Sequence, residues 1–312
     1  MTKLRGILPE CRRARLRERL AAGDRLRLIE AHSGLSGIVG DSALWEASSG
    51  PVEFDGLWLS SLTCSAIKGL PDVELNIMER RLETIDEVLT VTTKPIVVDG
   101  DTGGTEANFE YLCTKLEAMG VSAVVIEDKT GPKRNSLSAG ARQILESPET
   151  FGRKIRCGKE RLRSRDFLIF ARIESLIAGL DVDDAIERAR CYLEYGADGI
   201  LIHSRERTAE QILAFLDAYR RLCDELGFRR PVLAVPTSYN LVTAATLFQA
   251  GVDIVIYANH LLRATVAAMR SVCQQILEHD KSSEVERNCV PIPDLFDMVG
   301  FSEIVRRDKA AV

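Results

Sequence analysis

The stretch YLEYGADGILIHS, residues 192–204, decides the fold. An amphipathic segment from Asp181 to Tyr195 closes on Gly196, and the chain then enters a short apolar run that ends in His203 and Ser204. Glycine suits a helix C-cap because it accepts the left-handed backbone that ends many helices, so the stretch reads as helix, turn, strand. The same beat returns at Met119-Gly-Val-Ser-Ala before Val124 and at Ala250-Gly-Val-Asp-Ile before Val255.

Outward from there, apolar or β-branched runs recur at Leu26–Ala31, Gly56–Ser61, Pro95–Asp101, Ala123–Lys129, Phe167–Glu174, Gly199–Ser204, Pro231–Thr237 and Asp253–His260. Amphipathic helical segments such as Asp181–Tyr195 and Thr208–Leu226 separate them. Strands alternating with helical crossovers must run parallel, and continuous apolar strands suit burial on both faces. Eight such units in about 240 residues fit a closed barrel better than an open doubly wound sheet. The expectation is an α/β protein with a single (β/α)8 TIM-type barrel. No linker interrupts the pattern, so residues 1–312 are expected to form one domain, with Met1–Gly23 an extra N-terminal helix and His279–Val312 a helical or irregular tail.

Composition narrows the function classes. The 312 residues are 46% hydrophobic and 28% charged with a formal net charge of −5, and the basic clusters gather no aromatic or Gly-rich signature, which argues against nucleic acid as a partner. No apolar stretch approaches the roughly 18 residues of a membrane span, and the Arg-rich start has no apolar signal core, so a soluble, cytoplasmic protein is expected. The eight cysteines, at 11, 64, 113, 157, 191, 223, 273 and 289, form no C-x-x-C pair. They read as reduced thiols, with neither a disulfide framework nor a zinc site.

Active sites of such barrels sit at the C-terminal ends of the strands, so the polar residue closing each run carries the chemistry. Those residues are Asp99 and Asp101 after the third run, Glu127 after the fourth, Arg172 and Glu174 in the fifth, His203 and Ser204 in the sixth, and Asn259 and His260 in the eighth. Carboxylates without clustered Cys or His are hard oxygen donors and point to Mg2+ or Mn2+. An inward Arg offers a planar fork for carboxylate or phosphoryl oxygens. The segment EDKTGPKRNSLSAGARQ, Glu127 to Gln143, is polar and aperiodic and reads as a mobile loop carrying Lys129, Lys133, Asn135 and Ser136. Donors on a closing loop can seal a site against water.

Five motifs carry a resemblance: E-D-K-x-x-x-K-x-N-S at Glu127–Ser136, D-G-D-T-G at Asp99–Gly103, A-R-I-E-S-L-I-A-G at Ala171–Gly179, I-H-S at Ile202–Ser204 and Y-A-N-H-L-L-R-A at Tyr257–Ala264. Together, from about Arg25 to Cys273, the chain resembles the phosphoenolpyruvate mutase family of the isocitrate lyase superfamily. The lid motif is the specific part. The resemblance implies an isomerase that interconverts phosphoenolpyruvate and phosphonopyruvate in phosphonate biosynthesis, with Asp99 ligating Mg2+ directly and Asp72, Asp101 and Glu127 acting through bound water. It places Trp58, Ser60, Ser61 and Leu62 on a substrate-binding turn, and Arg172, His203, Lys133, Asn135, Ser136 and Ser204 around the carboxylate and phosphoryl group. It also implies a homotetramer or homodimer that exchanges a terminal helix, and a downstream enzyme that consumes phosphonopyruvate.

Two departures stand out: Ser61 occupies a position where the family commonly has glycine, and Asp101-Thr-Gly-Gly-Thr-Glu replaces its D-T-G-Y-G-N. The nearest alternative is a phosphonopyruvate hydrolase, which typically has Thr at the position of Asn135. A C–C lyase of the isocitrate or methylisocitrate type would carry a Cys in K-[KR]-C-G-H, and this lid has none. A non-catalytic phosphate-binding protein would have lost a metal carboxylate, and none is lost.

Overall fold

The apolar runs form eight strands: β1 (Leu26–Glu30), β2 (Gly56–Leu59), β3 (Ile96–Asp99), β4 (Ala123–Glu127), β5 (Leu168–Ile173), β6 (Gly199–Ile202), β7 (Val232–Ala234) and β8 (Ile254–Tyr257). All pair in parallel in chain order, and β8 returns to β1, so the sheet closes into a (β/α)8 barrel. The computed structural model describes residues 6–48, 50–138 and 140–310; the ends of the expected N-terminal helix and C-terminal tail lie outside them.

Side-chain alternation divides the strands between two apolar layers. Leu26, Leu28, Trp58, Val97, Val125, Phe170, Leu201 and Ile256 fill the barrel interior. Their neighbours Ile29, Leu57, Leu59, Val98, Ile126, Ala171, Ile202 and Val255 pack outward against the helices. Because the period is two, the next inward position after the last interior residue of each of β1 to β6 falls at or just past the strand's C-terminal end. Those positions are Glu30, Ser60, Asp99, Glu127, Arg172 and His203, so the phase that builds the core also delivers the polar rim.

The floor of the barrel is closed by the N-terminal helix, Pro9–Ala21, whose Leu16 joins the interior layer. Its arginines satisfy buried carbonyls ahead of β3: Arg12 donates to Leu89 O at 2.8 Å and Thr92 O at 2.7 Å, and Arg15 to Thr93 O at 2.6 Å. The Arg-rich start is thus used in folding. Gly120, at φ +86°, ends the third crossover helix where a Cβ would lie 2.6 Å from Pro9 Cα, so the glycine permits both the turn and the seating of this helix. Gly251 caps its helix in the same left-handed conformation and Gly196 follows Tyr195 likewise.

Several details depart from expectation. β2 stops at Leu59 because Ser61 begins a short helix, Ser61–Ala66. β7 contracts to three residues. An antiparallel hairpin, Leu44–Ala47 with Gly50–Glu53, precedes β2; its exposed strands lack the apolar run that marks buried ones. The helix after β8, His260–His279, buries only Leu262. All eight cysteines are free, and no described helix is long and apolar enough to cross a membrane.

Candidate active site

At the C-terminal rim, register sets the neighbours. Glu127 is paired across the sheet with Arg172, and Val98 and Asp99 with Val124 and Val125. The loop after β4 folds back over the barrel mouth on a short antiparallel neck, in which Glu146 N donates to Asp128 O at 2.9 Å and Thr130 N to Ile144 O at 2.9 Å. Beneath it lies a cavity of about 50 Å3. Trp58, Ser60, Ser61, Leu62, Asp72, Asp99, Glu127, Lys133, Asn135, Ser136, Arg172 and His203 all line it. A wider cleft of about 590 Å3 opens beyond Asp101, but Asp99, Glu127, Arg172 and His203 do not face it.

The acids lie in one buried group. Asp99 Oδ2 accepts from Ser61 N at 3.2 Å and from Ser61 Oγ at 2.8 Å. The serine that stands in place of glycine thus gives Asp99 both its backbone N–H and its hydroxyl. Lys133 reaches in from the lid, its ammonium donating to Ser61 Oγ at 2.5 Å, Asp72 Oδ1 at 2.9 Å and Asp101 Oδ1. Arg81 holds the far side of Asp101 at 2.6 Å and the Asp99 carbonyl. Burial alone would raise the Asp99 carboxyl, but Lys133, Arg172 and Arg81 outweigh it and hold the group well below the usual carboxylate range.

Glu127 contrasts with this group. It is 1% exposed, with Lys129 Nζ at 3.2 Å and Arg172 Nη2 at 3.6 Å, yet neither of its oxygens accepts a hydrogen bond. Burial pushes it up to about 7 against the pull of Arg172 and Lys129. Arg172 donates to Glu174 Oε1, to Ser136 Oγ at 2.9 Å and to His203 Nδ1 at 2.9 Å. Burial and then Arg172 lower the His203 pKa, which favours the neutral ring; its Nδ1 faces both Arg172 Nη2 at 2.9 Å and Glu174 Oε1 at 3.0 Å.

The donor set fits a hard divalent cation: Asp72, Asp99, Asp101 and Glu127 offer oxygen only, and the bare oxygens of Glu127 are buried acceptors without a donor. Among the described residues, no three His, Cys, Asp or Glu side chains converge closely enough to ligate one ion together.

Three residues singled out in the sequence lie outside the cavity lining. Ser204 follows inward His203 and so faces out of the cavity, its hydroxyl donating to Gln211 Oε1 at 2.6 Å. Asp101 stands behind Lys133, outside the cavity lining, with φ +55°. Lys129, read as one of the lid's donors, stands behind the lining, its ammonium against Glu127 and Ser136. Sequence reasoning missed Glu174 as a hub, although its i,i+2 spacing from Arg172 puts both on one face: it accepts from Ser136 Oγ at 2.7 Å and lies 3.0 Å from His203 Nδ1. It also missed Arg81, which sits on a helix with no motif around it, and the cavity contact of Thr237, whereas Asn259, read at the end of the eighth run, does line the cavity.

Known proteins resemble this chain over most of its length. A family model described as phosphoenolpyruvate phosphomutase matches residues 16–277. The phosphoenolpyruvate phosphomutase of Tetrahymena pyriformis is 35% identical over 94% of this chain and 93% of its own length. The phosphonopyruvate hydrolase of Variovorax sp. (strain Pal2) is also 35% identical, over 91% of this chain and 93% of its own. A crystal structure of a phosphonopyruvate hydrolase in complex with oxalate and Mg2+ superposes with a TM-score of 0.83 at 33% identity, covering 99% of both chains. An enzyme barrel with buried acids, Arg172 and His203 under a lid, matched over most of its length by this family, belongs to the phosphoenolpyruvate phosphomutase family.

Proposed function

We propose that this enzyme is a phosphoenolpyruvate mutase, moving a phosphoryl group within one molecule between the enol oxygen of phosphoenolpyruvate and C3 of phosphonopyruvate. The observation that carries the reading is Asn135: the lid places this amide in the cavity wall, where its Nδ2 donates to Asp72 Oδ2 at 2.7 Å. With one N–H on Asp72, the amide keeps a second to offer a migrating phosphoryl group. A hydrolase, the reading favoured by the equally similar relative from Variovorax, must instead leave a path for water to phosphorus.

Mg2+ bound among the carboxylates would supply positive charge to the enolate and carboxylate oxygens. Arg172 and neutral His203 orient the anion from the β5 and β6 side, and Arg172, held by Glu174, keeps its charge near the phosphoryl oxygens. Ser136, bonded to both Arg172 and Glu174, ties the lid to that clamp. Breaking the P–C bond of phosphonopyruvate leaves the electron pair on the pyruvyl fragment, and phosphorus then bonds to the C2 oxygen, so no proton or water is consumed. The lid excludes water while this happens.

The same reading extends to assembly. The helix His260–His279 carries exposed Val266, Met269, Ile276 and Leu277, and the β1–β8 side of the barrel leaves an apolar groove of about 430 Å3 among Ile29, Phe54, Trp45 and Tyr257. Exchange of such a helix between copies would cover both surfaces and make a homotetramer or homodimer. The deciding experiment is phosphorus NMR of the purified enzyme with phosphonopyruvate and Mg2+. Phosphoenolpyruvate as the main product supports the mutase, and pyruvate with inorganic phosphate transfers the assignment to the hydrolase.

A further inference from the structure

The lid contains an inner framework that does not touch the cavity. Lys129 is 2% exposed and its ammonium lies underneath the loop, donating to Arg134 O at 2.8 Å, Ser136 Oγ at 2.8 Å and Gln143 Oε1 at 3.2 Å. Three donors meet three acceptors, which is the full capacity of an ammonium group. Gln143 turns its amide back into the loop, Nε2 donating to Asn135 O at 3.3 Å and Ala141 O at 3.4 Å. Residues 134, 135 and 136 are thus each gripped from behind by this pair. Glu127 and Glu174, at 3.2 and 3.6 Å from the ammonium, offset its buried charge.

Two of the three gripped residues, Asn135 and Ser136, are the ones whose side chains form the cavity wall. We propose that Lys129, acting through Gln143 and the 134–136 backbone, is the positioning residue that aims the Asn135 amide and the Ser136 hydroxyl at the phosphoryl group, and so decides whether that group reaches the C2 oxygen or water. This rests on the mutase reading. Displacement of reacting groups by an ångström is enough to change rate and partition. With the strut gone, the P–C bond still breaks, but water supplies the oxygen to phosphorus and C3 takes up a proton, giving pyruvate and phosphate.

Two variants test this, Lys129→Met and Gln143→Leu; the second leaves the buried charge in place, so a shared phenotype identifies positioning and not charge. With saturating Mg2+ and oxalate, an arginine-specific protease should cut at Arg134 or Arg142 about tenfold faster in Lys129→Met and at least about threefold faster in Gln143→Leu. Both variants should also raise the share of pyruvate and phosphate formed from phosphonopyruvate, at thermal midpoints that show them folded. Parental cleavage rates and product ratios in both would overturn the proposal. Should Lys129→Met not fold, Gln143→Leu decides alone. If the parent itself makes mainly pyruvate and phosphate, the mutase reading fails, and the cleavage rates still decide whether Lys129 positions the lid.

Discussion

The rim and the lid build one cavity in different ways. Asp99, Glu127, Arg172 and His203 come from four consecutive strands, and the barrel's register fixes each before any ligand arrives. Lys133, Asn135 and Ser136 come from four consecutive residues of one loop, held by hydrogen bonds to Asp72, Asp101 and Glu174 and by Lys129 beneath. A group fixed by the fold can be relied on for a step common to every turnover. A group fixed by a loop can be present or absent within one turnover, which suits control of water. The rim should therefore decide whether the phosphoryl group moves, and the lid where it goes.

The strongest challenge to that division is Asp99→Ala. If the rim is indispensable, this variant should fold and lose activity by at least about a thousandfold, equivalent to roughly 4 kcal/mol of barrel-mouth stabilisation of the transition state. Excess EDTA should impose a comparable loss on the parent, reversed by Mg2+. Steady-state rates within tenfold of the parent would show that the indispensable acid lies elsewhere.

Asn135→Thr probes the other half. It should slow formation of phosphoenolpyruvate by at least about tenfold, near 1.4 kcal/mol, and raise the share of pyruvate and phosphate. The product ratio by phosphorus NMR measures this, and an unchanged ratio would remove Asn135 from the argument.

The smallest effect concerns the junction of the two regions. Burial pushes Glu127 up to about 7 from an ordinary 4.5, and Asp128 up to about 6 from 3.8. Between the ordinary and raised values the folded protein holds more protons than the unfolded chain, so stability falls as pH rises through that window. The depressed Asp99 and Glu174 act in the opposite sense only at lower pH, where stability is lost as pH falls. Metal-free enzyme should melt roughly 5 °C lower at pH 8 than at pH 5, and Glu127→Gln should flatten part of that slope. A parental slope in the variant would mean that Glu127 ionises as an ordinary acid.

The rim was legible in the sequence because each strand writes its chemistry in phase with its core. Val97 and Asp99, Val125 and Glu127, and Phe170 and Arg172 are pairs two residues apart, and finding the apolar member finds the polar one. Ser204 was misread for the converse reason, since it follows the inward residue by one. The lid was legible only as a motif. Nothing in its composition says that Lys133 enters the cavity while Lys129, four residues earlier, supports the loop from below, because that choice is made by acceptors at positions 134, 136 and 143 that meet only after folding. Arg81 was illegible for a similar reason: its partners, Asp101 and the Asp99 carbonyl, reach it through tertiary packing.

The neck of the lid has an evolutionary consequence. Asp128, bound by Tyr192 at 2.6 Å and Arg188 at 3.2 Å, and Glu146, whose carbonyl accepts from the same Arg188 at 2.9 Å, bring the two feet together independently of what the loop contains. Closing a loop costs only about (3/2)RT ln n, so four added residues between those feet would cost about 0.2 kcal/mol. Insertions and deletions at the tip are in this sense nearly free of the barrel's stability. Lineages sharing this scaffold can therefore exchange one outcome for another by rewriting a dozen or so positions, while selection on the barrel itself stays still.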